Sequence, residues 1–303
     1  MMDAPPATPA WVAPSLSLRG LTLTWGARTY VMAILNVTPD SFSGDGLGTD
    51  AHRAVERALA SAATAIEASA DILDIGGEST RPGATPVDAA EEIDRVVPTI
   101  AAIRARFDVP ISVDTHKAAV ALAAIEAGAD LVNDVWGLRA DPELAGVIAR
   151  YNVPVILMHN RSTPNNVAIA ERLGSHYVGV SYADLVPDVA RELMGSVAIA
   201  RSAGIPDARI ILDPGIGFGK TPAQNLELLD RLGELSTLGF PLLVGPSRKS
   251  FIGVTLGLPP DDRVEGTAAT VAVAIARGAD IVRVHDVGAM TRVARMTDAV
   301  VRR

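Results

Sequence analysis

The chain has 303 residues, of which 49% are hydrophobic, 20% are charged and only 4% are aromatic. This composition is typical of a globular protein whose core is filled by aliphatic side chains. The net charge of −8 and the lack of long basic clusters argue against nucleic-acid binding. The chain contains no cysteine, which excludes disulfides and thiolate metal sites and agrees with a reducing, cytoplasmic location.

The first fourteen residues contain four prolines and lack the basic start and apolar segment of a signal peptide. They predict a flexible tail over residues 1–14, followed by one folded domain over residues 15–303. No apolar run approaches the roughly 18 residues of a membrane span. We therefore expect no membrane partner and a single soluble domain.

Short apolar segments alternate with alanine-rich amphipathic segments such as HRAVERALASAATAIEAS and HKAAVALAAIEAG. Strand–helix alternation predicts a parallel sheet, and eight repeats fit a (β/α)8 TIM barrel. A doubly wound sheet is the alternative, but it needs a glycine-rich turn after the first strand, where this chain reads NVTPDSFS. The segment LSLRGLTLTWGARTY predicts a short N-terminal β-hairpin at the bottom of the barrel. The predicted strands are Tyr30–Leu35, Asp71–Ile75, Pro110–Val113, Asp130–Val132, Pro154–Met158, Arg209–Leu212, Pro241–Val244 and Asp280–Val284.

Nearly every predicted strand ends in a polar residue. In a barrel these ends converge at the C-terminal mouth, where active sites lie. We interpret Asp74 as a helix cap, because an aspartate at a strand end often has that role. The series as a whole predicts an active site at this mouth. Its members are Asn36, Asp74, Asp114, Asn133, Asp134, His159, Asp213, Ser247, Arg248, Lys249, Arg283 and His285.

The residue types in this series indicate two kinds of ligand. Asp114, Asn133 and Asp213 offer oxygens from three strands, which suit a flat heterocycle with adjacent N–H donors or an octahedral magnesium ion. Ser250 lies at a predicted helix start, whose free N–H groups suit a carboxylate or phosphate. A set of basic side chains predicts an anion beside the heterocycle; these are Arg81, Arg248, Lys249, Arg283 and His285.

The stretch DPGIGFGKT resembles a phosphate-binding loop without matching it. The spacing from Gly215 to Gly219 is one residue short, and Pro214 stands where the first glycine is needed. A nucleotide hydrolase is therefore disfavoured. The glycines nevertheless allow the backbone to lie close to a ligand.

Seven segments, in order, resemble the dihydropteroate synthase family over about residues 17–300. They read ILNVTPDSFS, DIGGESTRPGA, ISVDTHK, LVNDVWG, LDPGIGFGK, LLVGPSRKSFIG and IVRVHDV. The resemblance implies a (β/α)8 fold, a homodimer and a transferase of folate biosynthesis. Such an enzyme joins p-aminobenzoate to 6-hydroxymethyl-7,8-dihydropterin diphosphate, releases diphosphate and uses Mg²⁺.

The resemblance also implies roles for individual residues. The pterin site would consist of Asp114, Asn133, Met158, Asp213, Lys249 and Arg283. The diphosphate site would consist of Asn36, Thr80, Arg283 and His285, with Asn36 at the metal and Asp40 near it. The p-aminobenzoate site would consist of Arg81, Pro82, Phe218, Lys249 and Ser250. The catalytic set would be Asp40, Asp114, Asp213, Lys249 and Arg283.

One departure from the family pattern concerns the first loop. The family commonly has FSDGG there, whereas this chain reads Phe42-Ser43-Gly44-Asp45-Gly46, so the contact of that aspartate is open. Two alternative functions also stay open. One is a pterin-binding methyltransferase domain, which needs no diphosphate site. The other is a non-catalytic paralogue that binds pterin without turnover.

Overall fold

The computed structural model describes residues 13–38, 51–79, 86–163, 167–170, 174–178 and 180–302. Within them, a hairpin of β1 (Leu16–Leu18) and β2 (Leu21–Leu23) precedes a barrel of parallel strands. The barrel strands are β3 (Tyr30–Asn36), β4 (Ile72–Gly76), β5 (Ile111–Asp114), β6 (Leu131–Asp134), β7 (Val155–Met158), β10 (Ile210–Asp213), β11 (Leu243–Val244) and β12 (Ile281–Val284). A small antiparallel pair, β8 (Val167–Ala170) and β9 (Gly174–Tyr177), lies between β7 and β10 in the chain.

Helices follow the strands, as the alternation in the sequence predicts. They are α1 (Ala51–Glu67), α2 (Ala89–Arg106), α3 (Ala118–Glu126), α4 (Leu144–Tyr151), α5 (Leu185–Ser202), α6 (Pro222–Asp230), α7 (Ser250–Leu256), α8 (Val264–Ala276) and α9 (Val287–Val301). Across the described residues, none of the helices combines the length and apolar character needed to cross a membrane.

The sheet closes on itself, which confirms the barrel and excludes the doubly wound alternative. Strand β12 pairs with β3, and the ladder then runs through β4, β5, β6 and β7 to β10. Closure between β10 and β11 is made by a parallel bridge from Leu212 to Leu242, and the Leu212 N–H donates to the Pro241 carbonyl at 2.9 Å. A closed barrel directs the carboxyl ends of its strands to one mouth.

The barrel interior is divided into an apolar lower layer and a polar upper layer. Successive side chains of a strand point to opposite faces, so residues two apart share the interior. In five strands, an apolar side chain of the lower layer is followed two residues later by a side chain that lines the mouth. The pairs are Ile72 and Asp74, Leu131 and Asn133, Ile156 and Met158, Ile211 and Asp213, and Ile281 and Arg283.

The predicted N-terminal hairpin closes the bottom of this interior. Leu16, Leu18 and Leu23 are buried in the same cluster as the lower layer. Of the predicted tail, residues 1–12 lie outside the described residues. The carbonyl of Pro14 accepts a hydrogen bond from Trp25 Nε1 at 2.9 Å, which attaches the start of the described chain to the hairpin.

Aspartates at the bottom of the barrel accept hydrogen bonds from backbone N–H groups. Asp130, just before β6, accepts the N–H of Ile111 on β5 at 2.8 Å. Asp71 accepts the N–H of Val31 in the same way, also at 2.8 Å. An N–H at the start of a strand has no ladder partner, so these carboxylates satisfy groups that burial would otherwise leave unpaired.

Replacement of Asp130 tests this role of the lower aspartates. The carboxylate also accepts hydrogen bonds from Arg104 at 2.6 Å and from Arg19 at 3.0 Å, so Asp130→Ala removes the acceptor of three donors. We expect the free energy of unfolding to fall by about 2 kcal/mol in urea denaturation. The matched control is Asp108→Ala, since Asp108 is 84% exposed and 3.8 Å from Arg19; it should change the value by less than about 0.5 kcal/mol. Equal effects of the two changes would contradict the account.

Candidate active site

Arg283 lies at the centre of the polar upper layer, between two carboxylates. It projects from β12, and its Nε donates to Asp74 Oδ2 at 2.5 Å while an Nη donates to Asp114 Oδ2 at 2.6 Å. Asn133 also donates from Nδ2 to Asp74 Oδ2, at 3.2 Å. Four predicted mouth residues from β4, β5, β6 and β12 are therefore joined in one network.

The interpretation of Asp74 as a helix cap is wrong. Strand β4 continues two residues beyond it, to Gly76, so Asp74 faces the barrel interior and is fully buried. Its partners there are Arg283 and Asn133. The sequence contains a signal for this position. Ile72, Asp74 and Gly76 are spaced two residues apart, so in a strand all three lie on the same face.

Asp114 has one oxygen that takes no part in this network. Its Oδ1 is buried without a hydrogen-bond partner among the described residues. Burial raises the pKa of Asp114 to about 7, while the neighbouring Arg283 acts in the opposite direction. A carboxylate oxygen that is buried and unpaired is suited to accept a hydrogen bond from a ligand.

Asn36 on β3 and Asp114 on β5 approach each other because the residue between them on β4 is Gly76, which has no side chain. Gly76 pairs with Asn36 on one side and with Asp114 on the other. A Cβ at Gly76 would lie 3.8 Å from both Asn36 Oδ1 and Asp114 Oδ2. The amide oxygen of Asn36 and the carboxylate of Asp114 therefore line the same part of the mouth.

Asp213 and Lys249 are two further buried groups of the mouth, with opposite charges that influence each other. Asp213 accepts the N–H of Gly215 at 2.7 Å. Burial raises the pKa of Asp213, against the effect of the Lys249 ammonium. Burial likewise lowers the pKa of Lys249 to about 7, against the attraction of Asp213. Met158 pairs with Asp213 across the ladder and is buried beside it.

Lys249 is held over the glycine-rich turn that follows β10. Its Nζ donates to the Ile216 carbonyl and lies 4.3 Å from the centroid of the Phe218 ring. Gly217 has φ +80°, and a Cβ there would lie 2.4 Å from Lys249 Cδ. Glycine is favoured at 217 because its backbone is left-handed and because the lysine stem occupies the space of a side chain. At Gly217 the group close to the backbone is thus the side chain of Lys249, and the predicted approach of a ligand to these glycines stays a prediction.

Other members of the predicted series have partners that define their roles. Ser247 Oγ lies 3.0 Å from His285 Nδ1. Arg248 binds Asp286 with two hydrogen bonds of 2.6 and 2.9 Å, so its guanidinium is already paired. Asp134 accepts the N–H groups that follow it in a turn, and Ser250 begins α7.

His159 contacts Glu192 of α5 and Lys220 instead of the network around Arg283. Its side chain is fully buried between Lys220 and Glu192. Burial lowers its pKa to about 2, which keeps the imidazole neutral. His159 is therefore a supporting residue of the glycine-rich turn.

Several predicted site residues lie outside the described residues, and their roles stay predictions. They are Asp40, Thr80, Arg81 and Pro82, together with the segment Gly44-Asp45-Gly46. Within the residues that the structure describes, no group of three or more acidic or histidine side chains could hold a metal ion.

The coupling of Asp74 to Asp114 through Arg283 can be measured. Asp74→Asn removes a negative charge that raises the pKa of Asp114 and leaves Arg283 to Asp114 alone. We expect the pKa of Asp114 to fall in a carboxyl ¹³C NMR titration, because both changes favour its ionised form. The control is Asp230→Asn on the exposed end of α6, which should leave the value unchanged. An unchanged or higher pKa in Asp74→Asn would refute the coupling.

Comparison with known proteins connects this geometry to a family. The model of the family described as "Pterin binding enzyme" matches residues 32–285. The chain is 50% identical over 279 residues to the dihydropteroate synthase of Clostridium beijerinckii, covering 92% of this chain and 96% of the relative.

Solved structures show the same fold. A dihydropteroate synthase from Clostridium difficile, in the presence of pteroic acid, has a TM-score of 0.83 and 45% identity, over 92% of this chain and 99% of the other. The dihydropteroate synthase of Xanthomonas albilineans in complex with 7,8-dihydropteroate has a TM-score of 0.81 and 41% identity, over 95% and 98%. The chain belongs to the pterin-binding enzyme family, among its dihydropteroate synthases.

Proposed function

We propose that this chain condenses 6-hydroxymethyl-7,8-dihydropterin diphosphate with p-aminobenzoate, giving 7,8-dihydropteroate and diphosphate in folate biosynthesis. The observation that carries the proposal is the buried network of Asp74, Asp114 and Arg283 beside Asn133 and Asp213. The network offers hydrogen-bond acceptors to a heterocyclic ligand and the guanidinium of Arg283 to an anionic group. The identity to dihydropteroate synthases over most of the chain supports the same conclusion.

The upper layer is suited to the edge of a pterin ring. Asp213 and the free Oδ1 of Asp114 are acceptors, and adjacent ring N–H groups are donors of matching geometry. Lys249 supplies a donor on the same side of the mouth, suited to the ring carbonyl. Because these groups are buried, a ring that lacks the matching donors would leave them unpaired, which costs affinity.

The charges of the site match those that develop in the reaction. As the bond from the methylene carbon to the diphosphate oxygen breaks, positive charge spreads into the pterin and negative charge collects on the diphosphate. The carboxylates of Asp114 and Asp213 stabilise the former, and the guanidinium of Arg283 stabilises the latter. The amine of p-aminobenzoate attacks the methylene carbon, forms the C–N bond and then loses a proton. No protein nucleophile is required.

The second substrate is placed by the turn after β10 and the start of α7. The Phe218 ring contacts the Lys249 ammonium and offers a flat apolar face to the aromatic ring of p-aminobenzoate. Lys249 and Ser250 suit its carboxylate. Arg81 and Pro82 lie outside the described residues, and the proposal that they complete this pocket is supported by the resemblance to the family alone.

Magnesium is proposed as the metal, with Asn36 as its protein ligand. The amide oxygen of Asn36 is a hard donor beside Asp114 at the mouth. Mg²⁺ commonly binds one or two protein oxygens and completes its shell with substrate phosphate and water. When bound, the ion would neutralise charge on the diphosphate.

A homodimer in the cytoplasm is also proposed. Helices α7, α8 and α9 expose apolar side chains that a second copy could cover; these are Leu256, Val273, Met296 and Val300. Light scattering of the purified protein should give about twice the chain mass, and the mass of a single chain would refute the dimer. The cysteine-free composition supports the location.

The assay for this function mixes protein, pterin diphosphate, p-aminobenzoate and Mg²⁺ and measures dihydropteroate. We expect product from the wild type and a fall in kcat/KM of about 100-fold in Asp213→Asn, because a charge that stabilises the transition state is lost. The exposed Asp108→Asn should retain wild-type activity. Pterin binding without any product would instead indicate the non-catalytic paralogue, and an unaffected Asp213→Asn would refute the assigned role.

A further inference from the structure

Lys220, the lysine of the glycine-rich stretch, is turned away from the mouth into the protein. It is 1% exposed. Its Nζ lies 2.9 Å from His159 Nδ1, 3.0 Å from the Gly215 carbonyl and 3.1 Å from the Phe218 carbonyl. These three acceptors carry no formal charge. A buried lysine without a hydrogen-bonded carboxylate is costly, so a specific role for its three donors is indicated.

The tautomer of His159 decides which atoms accept from the three N–H groups of the Lys220 ammonium. Glu192 accepts hydrogen bonds from Arg161 and lies 3.0 Å from His159 Nε2, so we assign the imidazole proton to Nε2 as the donor to this carboxylate. His159 Nδ1 therefore has a free lone pair, because the imidazole is neutral. An ammonium group donates one N–H to this atom and one to each carbonyl, which satisfies all three donors.

The two carbonyls belong to the turn that carries groups of the active site. Gly215 accepts from Lys220 through its carbonyl and donates its own N–H to Asp213 Oδ1 at 2.7 Å. Phe218, whose carbonyl is the other acceptor, presents its ring to Lys249. Both peptide groups are thereby oriented from beneath by one side chain.

The chain on the far side of Lys220 is fixed as well. Thr221 caps α6 in a reciprocal capping box with Gln224. Asn225 donates to the carbonyl of Lys220 at 3.1 Å and accepts the N–H of Gly217 at 2.6 Å. Lys220 is therefore anchored on a rigid helix start, from which its side chain can hold the turn in one conformation.

We propose that Lys220 is a positioning residue for the reaction, holding the turn 215–218 so that Phe218 and Asp213 meet their substrates. This inference rests on the proposed function. Lys220 touches no substrate in this account and acts through the backbone of the turn. Burial lowers its pKa to about 7, so its charge is sensitive to any loss of these partners.

The test replaces Lys220 with methionine, which keeps the length of the side chain and removes the donors. We expect the KM for p-aminobenzoate to rise about 10- to 100-fold, because displacement of an aligned group by about 1 Å costs this much. The effect should be much smaller in the Phe218→Ala background, since residues that act through one another are not additive. Lys220→Gln, which retains two donors, should give an intermediate KM.

Arg104→Met is the matched control for lost stability. Arg104 also donates to partly buried carbonyls, those of Val109 and Gly128, and to the Asp130 carboxylate, but at the opposite end of the barrel. It should lower the melting temperature and leave the KM unchanged. If Lys220→Met lowers the melting temperature alone, or if its effect adds fully to Phe218→Ala, the proposal is wrong.

Two further readouts keep the test decisive. If Lys220→Met does not fold, Lys220→Gln carries the same comparison, and a wild-type KM in that variant overturns the proposal. Wild-type protein in the same assay separates this proposal from the function on which it rests. Absence of product there contradicts the function, whereas product with an unchanged KM in the Lys220 variants contradicts the positioning role alone.

Discussion

The ion pairs of Arg283 with Asp74 and Asp114 are the interaction on which the site depends. They place one cation and two carboxylates in a barrel interior that is otherwise apolar below them. A buried ion pair contributes little net stability, because the loss of hydration offsets the attraction between the charges. Its value here is functional: the guanidinium and the free Oδ1 of Asp114 are held in place before any ligand arrives.

The two ends of the barrel use the same residue type for different purposes. Below, Asp130 satisfies the N–H of a neighbouring strand and pairs with arginines near the surface. Above, Asp114 and Asp213 are buried among few donors, and burial raises the pKa of both. The difference follows from position along the strand, since the apolar lower layer separates the two ends. The aspartate that stabilises the fold therefore lies at the lower end of the barrel, and the aspartates proposed to act in the reaction lie at the upper end.

Much of this arrangement follows from short-range patterns in the sequence. Eight apolar segments with polar ends predict the barrel and its mouth, and the structure confirms them. The role of Asp74 was missed because its strand extends to Gly76, and strand ends are poorly defined by pattern alone. The ion pair of Arg248 with Asp286 could not be predicted either, because the two residues are 38 positions apart along the chain. Such pairings depend on the tertiary fold.

We propose that Arg283 joins the pterin site to the diphosphate site, and calorimetry tests this most directly. Calorimetry would compare the dissociation constants of 6-hydroxymethyl-7,8-dihydropterin diphosphate and of the same pterin without diphosphate, in the wild type and in Arg283→Gln. We expect the diphosphate to strengthen binding in the wild type and most of this gain to be lost in the variant. An equal gain in both proteins would contradict it.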